Sequence, residues 1–332
     1  MTVPTNAVQT FAMTGIREDL SDVIVNIAPT ETPFYSMARK GTAKNRTPEW
    51  LRDTLRNPSP TNITVEGDDA SGSSTAQPDR LKNVVQLFNE TVIVSDTARA
   101  VEAAGRADEL KYQVAKSGRA LKRDMEMRLC GNYASVLGNA STGGQMAGAE
   151  AWITTNVSRG ASGSSGGFNS GTGLVAAATD GTGRTYTETL LKAVIKSVWD
   201  AGGEPSVVMM TGSKKQTAST FAGIATQFNE INGQNKTMVY GAVDVYKSDF
   251  GQHKFVPNRF MGAGTGRSAT NGLYPGASAL VLTPNTWEVK FLQPWATVPL
   301  ARTGNAEKRL LKAELTLACR EERGNGVVAD LS

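Results

Sequence analysis

The sequence is poor in the residues on which most enzymes and metal proteins depend. It has one histidine, His253, among 332 residues. That excludes multi-histidine metal centres and leaves a single candidate base for any histidine-dependent triad. Beside Lys254 and Phe255 it reads as an ordinary strand residue. The two cysteines, Cys130 and Cys319, stand in neither a CxxC nor any other ligand spacing and read as reduced, buried apolar residues. No phosphate-cradling Gly-x-x-x-x-Gly-Lys-Ser/Thr loop occurs. Gly262-x-Gly264-x-Gly266 lacks the dinucleotide-binding spacing and reads as a loop, and no nucleophile elbow stands on a strand-to-helix turn. No catalytic, cofactor or metal site is therefore expected, and the chain reads as a non-enzyme.

Other features are missing as well. No five or six like charges run together, and the net charge is only +4, from 35 basic and 31 acidic residues. This tolerates nucleic acid nearby without arguing for a dedicated groove. Residues 1–14 have neither the basic nor the apolar region of a signal peptide. No apolar stretch approaches the roughly 20 residues that cross a bilayer. A cytoplasm-like compartment and no membrane partner are expected.

What is present is an alternation of arm, hairpin, long helix and mixed α and β segments. Residues 15–26 read as a short helix with Glu18 and Asp19 in its first turn, stopped by Pro29. Thr32-Pro33 opens a second helical turn that is expected to end near Gly41. Residues 46–55 look extended, and 82–95 form a strand rich in valine, isoleucine and phenylalanine. Between them residues 57–80 are polar and rich in proline, glycine and serine, the tip of an extended hairpin that cannot bury its own end. Glu66, Asp68 and Asp69 make this tip acidic, which reads as a solvated or docking patch rather than a metal site.

Ser95 is expected to cap a short helix ending near Gly105. The longest helical pattern then runs over residues 107–137, with Leu110, Val114, Leu121, Met125 and Leu129 on one face. About 30 residues would span roughly 45 Å. The opposite face carries Lys111, Lys116, Arg119, Lys122, Arg123 and Arg128, either a solvated face or one turned to a partner or nucleic acid. Residues 138–184 are dominated by glycine, serine, alanine and threonine, the composition of a flexible linker. Order there would require the body of the protein or a neighbouring copy to hold it.

Downstream, Thr185 and Glu188 are spaced as a capping box before a helix presenting Leu191, Val194, Ile195 and Val198 and closing at Gly202. Strands are expected at 206–211, 238–246, 254–257, 279–283 and 287–292, with a helix capped by Ser213. Residues 308–321 alternate cleanly, with Leu311, Ala313, Leu315, Leu317 and Cys319 on one side and Lys312, Glu314, Thr316 and Arg320 on the other. The fold class read from this pattern is α+β.

Several motifs, in order, resemble one family. They are Gly15-Ile16-Arg17-Glu18-Asp19-Leu20-Ser21-Asp22, Ala28-Pro29-Thr30-Glu31-Thr32-Pro33-Phe34, Glu49-Trp50 with Asp53, and Val239-Tyr240-Gly241 through Asp249-Phe250-Gly251. Val256-Pro257-Asn258-Arg259, Gln293-Pro294-Trp295, Thr303-Gly304 and Glu314-Leu315-Thr316-Leu317 follow. Together they are similar to tailed-bacteriophage major capsid proteins of the Hong Kong 97 fold type. The resemblance implies an N-terminal arm (1–45), an extended hairpin or E-loop (46–95), a peripheral domain with a long spine helix and the Gly/Ser-rich insertion (96–184), an axial domain (185–280), and return strands of the peripheral domain (281–332).

It further implies a structural protein that self-assembles into hexamers and pentamers of an icosahedral head shell around double-stranded DNA, in a virion assembled in the host bacterial cytoplasm. Implied partners are further copies of the chain, packaged DNA held non-specifically, a portal, and scaffolding and decoration proteins. A tail or decoration subunit is the alternative. In this frame Glu66, Asp68 and Asp69 are expected to meet basic residues of a neighbour, and Arg17, Arg39, Lys40 and Lys44, with the basic spine face, to face DNA. Two departures matter. Only about 40 residues precede the hairpin, so scaffolding is expected in trans or not at all. Residues 57–80 contain no lysine, which removes the hairpin lysine that the founding member uses to cross-link neighbours.

Overall fold

The computed structural model describes residues 31–69, 72, 77–101, 108–221, 244–262 and 278–332. The helix expected at 15–26, Arg17, the glycines at 264 and 266 and most of the strand expected at 238–246 lie outside the described residues. In chain order the first elements are α1 (Pro33–Met37), β1 (Arg39–Thr42), β2 (Glu49–Arg52), β3 (Asp79–Lys82), β4 (Gln86–Ser95), α2 (Asp96–Ala100) and α3 (Glu109–Cys130). Then come α4 (Ala149–Trp152), β5 (Asn156–Ser158), β6 (Gly167–Asn169), β7 (Leu174–Ala176), α5 (Glu188–Asp200), β8 (Val207–Met210) and α6 (Gly212–Ser219). The last are β9 (Val245–Ser248), β10 (Gly251–Pro257), β11 (Ala279–Leu282), β12 (Trp287–Pro299), β13 (Ala306–Cys319) and β14 (Gly326–Val328).

Two sheets organise the chain. A four-stranded sheet runs β1-β12-β13-β4, with β1 parallel to β12 and the other pairs antiparallel. The period-2 pattern read in residues 308–321 places Leu311, Ala313, Leu315, Leu317 and Cys319 in the core. Its polar side holds with one correction. Thr316 is also buried, because its hydroxyl donates to the Val84 carbonyl at 2.8 Å and so tolerates the interior. β12 runs well past its expected end, and the register shifts on either side of Gln293 let Pro294 sit in the strand without a ladder donor.

The spine helix α3 packs across this sheet through Leu110, Leu121, Met125 and Leu129, all buried, with Val114 packed beside them. Each such side chain contributes about 1.5–3 kcal/mol by leaving water. Asp108 caps the helix, its carboxylate accepting from Leu110 N at 3.0 Å. The helix has 22 residues, about 33 Å, and ends at Cys130 rather than near Leu137. Gly131 turns extended there, and Gly148 crosses so close that a Cβ on it would lie 2.1 Å from the Gly131 carbonyl oxygen. No larger residue fits at that crossing.

The second sheet has the order β5-β14-β11-β8-β10-β9. α5 lies on it, burying Leu191, Val194, Ile195 and Val198 as the sequence pattern requires, and Gly202 at φ +87° follows its C-terminus. The expected capping box does not form. The N-cap is Thr187, without a side-chain cap, Tyr186 is buried beside Phe221, and Glu188 accepts from Tyr246 Oη at 3.0 Å. α6 starts two residues early, with Thr211 rather than Ser213 at its N-cap. This sheet recruits β5 from the Gly/Ser-rich stretch and β14 from near the C-terminus, and its strand β11 spans residue 280, so a division there cuts through it.

Other expectations shift for visible reasons. α1 stops at Met37 and does not reach Gly41, because Arg39–Thr42 pairs as β1 with Glu288–Phe291. The single strand expected over 82–95 is two, β3 and β4, split where the Asn83 side chain leaves the ladder. Its amide donates to Leu317 O at 2.7 Å and its oxygen accepts from Ala147 N at 3.0 Å. The largest revision concerns residues 138–184. They are part of the body, with Met146, Ala147, Ala149, Ala151, Trp152, Ile153 and Val175 in the main core.

Candidate functional site

The features that distinguish this chain lie on surfaces, beginning with the β2–β3 hairpin. Its root is closed by Arg52–Asp79 (2.8 Å) and Arg80–Glu49 ion pairs on the paired strands. Beyond the root every described residue from Asp53 to Asp69 is exposed, including Leu55 at 97%, Ile63 at 85% and Val65 at 75%. At the tip Gly67 takes φ +85° and Asp68 N donates to Val65 O at 3.1 Å. Glu66, Asp68 and Asp69 are all exposed there, and none forms an ion pair within the chain among the described residues. The structure thus brings the three acids together and presents them outward.

The arm cations separate. Arg39 is exposed on β1, donating to Asn285 Oδ1 at 3.1 Å. Lys44 lines an open cleft of about 400 Å³ with Glu49, Arg80 and Lys290. Lys40 is not a free surface charge. Its ammonium folds back over the Tyr35 ring (3.6 Å to the centroid), donates to the Tyr35 and Ala38 carbonyls, and is lowered to a pKa of about 8 by burial, against the pull of Glu126. Arg17 lies outside the described residues.

On the spine helix Lys111, Lys116, Arg119 and Lys122 are exposed, as a basic face requires. Arg123 is half-buried over the Phe260 ring at 5.3 Å. Arg128 does not belong to that face. It sits over Tyr133, donates to the Met146 and Ala134 carbonyls and to Gln145, and burial lowers it to about 10. Its place in the sequence is basic, but its job is to tie the helix end to the segment that follows.

A residue not singled out in the sequence joins these parts. Glu126 on α3 is fully buried and accepts from Phe34 N (2.7 Å), Tyr35 N (2.8 Å) and Asn258 Nδ2 (2.7 Å), with Cys130 Sγ at 3.8 Å. Burial pushes its carboxyl above the usual carboxylate range, opposed by these donors. Glu126 supplies the cap that Thr32 does not give α1, and it also holds the segment after β10 through Asn258. The signal for it was positional, since residue 126 lies between Met125 and Leu129, where the helix face is apolar.

His253 is a strand residue with structural bonds, Nδ1 to Pro205 O and Nε2 to Ser248 Oγ, each 2.7 Å, and burial lowers its pKa. Both cysteines are free and buried, and burial raises both thiols. Among the described residues no group of three or more His, Cys, Asp or Glu is placed to hold a metal, and no helix is long and apolar enough to cross a membrane.

Comparison with known proteins matches this architecture. A major capsid protein of Escherichia phage Phieco32 is 32% identical over 124 residues, which are 37% of this chain and 35% of that one. The matched stretch thus spans about a third of that relative's length. The capsid of a native GTA particle superposes with a TM-score of 0.63 at 9% identity, over 97% of this chain and 98% of that one. A Mycobacterium phage Ogopogo structure superposes at 0.59 and 15% identity, over 97% and 99%. These likenesses show the fold, the α+β capsid fold of the Hong Kong 97 type. The family model for the SU10 major capsid protein matches residues 3–332, and the chain belongs to that family of phage capsid proteins.

Proposed function

We propose that copies of this chain assemble into hexamers and pentamers that tile an icosahedral head shell around double-stranded DNA, and that the chain has no enzymatic role. The observation that carries this reading is the hairpin. Leu51, Leu55, Ile63 and Val65 are exposed on an element that has no body of its own, while the rest of the chain closes two well-packed cores. Laid over an adjacent copy, those side chains gain about 1.5–3 kcal/mol each on full burial. Shell interfaces in the obligate range of about 2,000–5,000 Å² are built from such elements.

The same reading assigns the parts. Residues 1–45 act as the arm, 46–95 as the E-loop, 96–184 and 281–332 as the peripheral domain, and 185–280 as the axial domain, whose sheet is completed across these boundaries by β5, β11 and β14. The acidic tip at Glu66, Asp68 and Asp69 docks on basic residues of a neighbour. Arg17, Arg39, Lys44 and the exposed lysines and arginine of α3 line the DNA side through phosphate contacts, which are salt-dependent and sequence-independent. Lys40 contributes least to that lining because its ammonium is already held. The particle forms in the host bacterial cytoplasm, with a portal among its partners.

Electron microscopy of the purified or co-expressed chain tests this directly. Shells, or hexameric and pentameric rings, are expected. Monodisperse monomers or trimers overturn it in favour of a tail or decoration subunit. A particle map with Arg39, Lys44 and the basic face of α3 pointing outward overturns the DNA-lining part alone.

A further inference from the structure

The hairpin leaves the body over a platform of three rings. The Trp50 indole N–H donates to the Cys319 carbonyl at 2.9 Å, and its ring lies 5.7 Å from that of Trp152. Trp152 in turn stacks on Phe168, 5.8 Å away and nearly parallel at 5°. Trp152 and Phe168 both come from the Gly/Ser-rich stretch, so that stretch forms the seat of the hairpin.

At this seat lies a cavity of about 110 Å³, walled by Arg52 and Leu81 of the hairpin, by Trp152, Thr154 and Phe168, and by Glu322 beyond β13. Two side chains of its wall carry buried N–H groups with no acceptor, Trp152 Nε1 and Arg52 Nε. Trp152 is only 2% exposed. The other guanidinium nitrogens of Arg52 are engaged, with Asp79 at 2.8 Å and Glu321 at 3.8 Å. Glu322 accepts from Thr154 N and Thr155 N, each at a long 3.3 Å, and from Thr155 Oγ1 at 2.5 Å. A carboxylate offers about four lone-pair directions, so it can take a further donor.

These groups define what fits. The occupant must accept from two N–H donors and donate to a carboxylate. An anion meets Glu322 and an Arg52 already matched by two acids. A cation meets two donors. An apolar group leaves both donors unpaired. Water does all three jobs, and the cavity is well above the roughly 10–15 Å³ that one water needs.

We propose that this cavity is a built hydration site, in which ordered water accepts from Trp152 Nε1 and Arg52 Nε, donates to Glu322, and so pins the hairpin root to the body through a polar hinge. The inference concerns the root alone and does not depend on what the hairpin tip contacts. It also gives residues 138–184 a task, to carry one half of that hinge.

Two measurements on the full chain test it. In a map of the protein fine enough to resolve buried solvent, density is expected within hydrogen-bond distance of both nitrogens. Its absence, with buried solvent resolved elsewhere in the same map, overturns the proposal. In solution, the indole N–H resonance of Trp152, identified by its loss in Trp152→Phe, is expected to show a cross-relaxation peak with long-lived bound water. No such peak overturns it. Thr154→Ile, which extends an apolar side chain into the cavity, is expected to abolish the peak, and its persistence at full intensity overturns the placement of the water in this cavity.

Discussion

The hairpin tip and the segment 138–184 are both rich in glycine, serine, threonine and asparagine, yet the tip stays exposed while the centre of 138–184 is buried. Every described residue from Asp53 to Asp69 is exposed, whereas Met146 to Ile153 is buried without interruption. The difference is the distribution of large apolar side chains. In 138–184 a tight cluster, Met146, Ala147, Ala149, Ala151, Trp152 and Ile153, follows the turn after α3 and falls directly against the sheet. In the hairpin Leu55, Ile63 and Val65 are scattered between prolines and polar residues, with no surface of their own chain in reach. Small residues serve the two regions differently. In 138–184 they permit close backbone approach, as at Gly148, while at the tip Gly67 permits a turn.

The comparison breaks most visibly at Trp152. Trp152→Ala removes a ring packed between Trp50 and Phe168 and is expected to cost about 3–5 kcal/mol, a collapse of solubility or a large fall in Tm of the unassembled chain. If the segment were a linker, the same change would be silent. Leu55→Ala, made at a residue 97% exposed, is expected to stay within about 0.5 kcal/mol in the same thermal melt.

Glu126→Ala comes next. It strips the Phe34 and Tyr35 amides and the Asn258 side chain of their acceptor in a fully buried site, at about 1–3 kcal/mol for the donors left unpaired. Glu126→Gln keeps an acceptor oxygen and is expected to cost less. Equal losses in denaturant melts of the two variants would show that keeping the side-chain volume and one acceptor oxygen is not enough, so that both carboxylate oxygens are needed to hold Phe34, Tyr35 and Asn258.

How much of this was legible follows from where the physics is local. The faces of α3, α5 and β13 could be read because a period of 3.6 or 2 needs only the sequence. The order of arm, hairpin, spine and mixed α/β lobe followed from the same patterns and from the capsid-family motifs. What could not be read depended on partners far along the chain. Asn83 leaves the ladder because Leu317 and Ala147 await it, Thr316 is buried because Val84 offers a carbonyl, and Arg128 turns inward because Met146 returns beside it. Of the surface residues, the three acids lie together as the sequence implied, while Lys40 was spent on its own arm. Glu126 was visible only as an acid out of place among apolar neighbours.

The hairpin side of the comparison is sharpened by a variant that should leave the fold alone. Replacing Leu55, Ile63 and Val65 together by serine is expected to leave the Tm of the unassembled chain unchanged within about 0.5 kcal/mol, as exposed sites do. Particle yield should fall at least tenfold, since an interface loses about 1.5–3 kcal/mol for each side chain no longer buried. Normal shells from this variant, seen by sedimentation and electron microscopy, would mean that the apolar flank has no neighbour to meet.

The smallest effect is expected at the acidic tip, and its dependence on salt matters more than its size. Exposed ion pairs are worth about 0.2–1 kcal/mol and are screened over roughly 8–10 Å at physiological ionic strength. Reversing Glu66, Asp68 and Asp69 to lysine changes the tip by six charges, yet no ion pair among the described residues is lost and only the exposed local bond from Asp69 N to Asp68 Oδ1 goes, so the unassembled protein should melt nearly as before. Assembly at low salt should slow and particle yield drop, and added salt should narrow the gap between variant and parent. If the parent's assembly is equally fast from low to high salt and the variant matches it throughout, the tip does not dock by charge, and the hairpin's contribution resides in its apolar flank and its root.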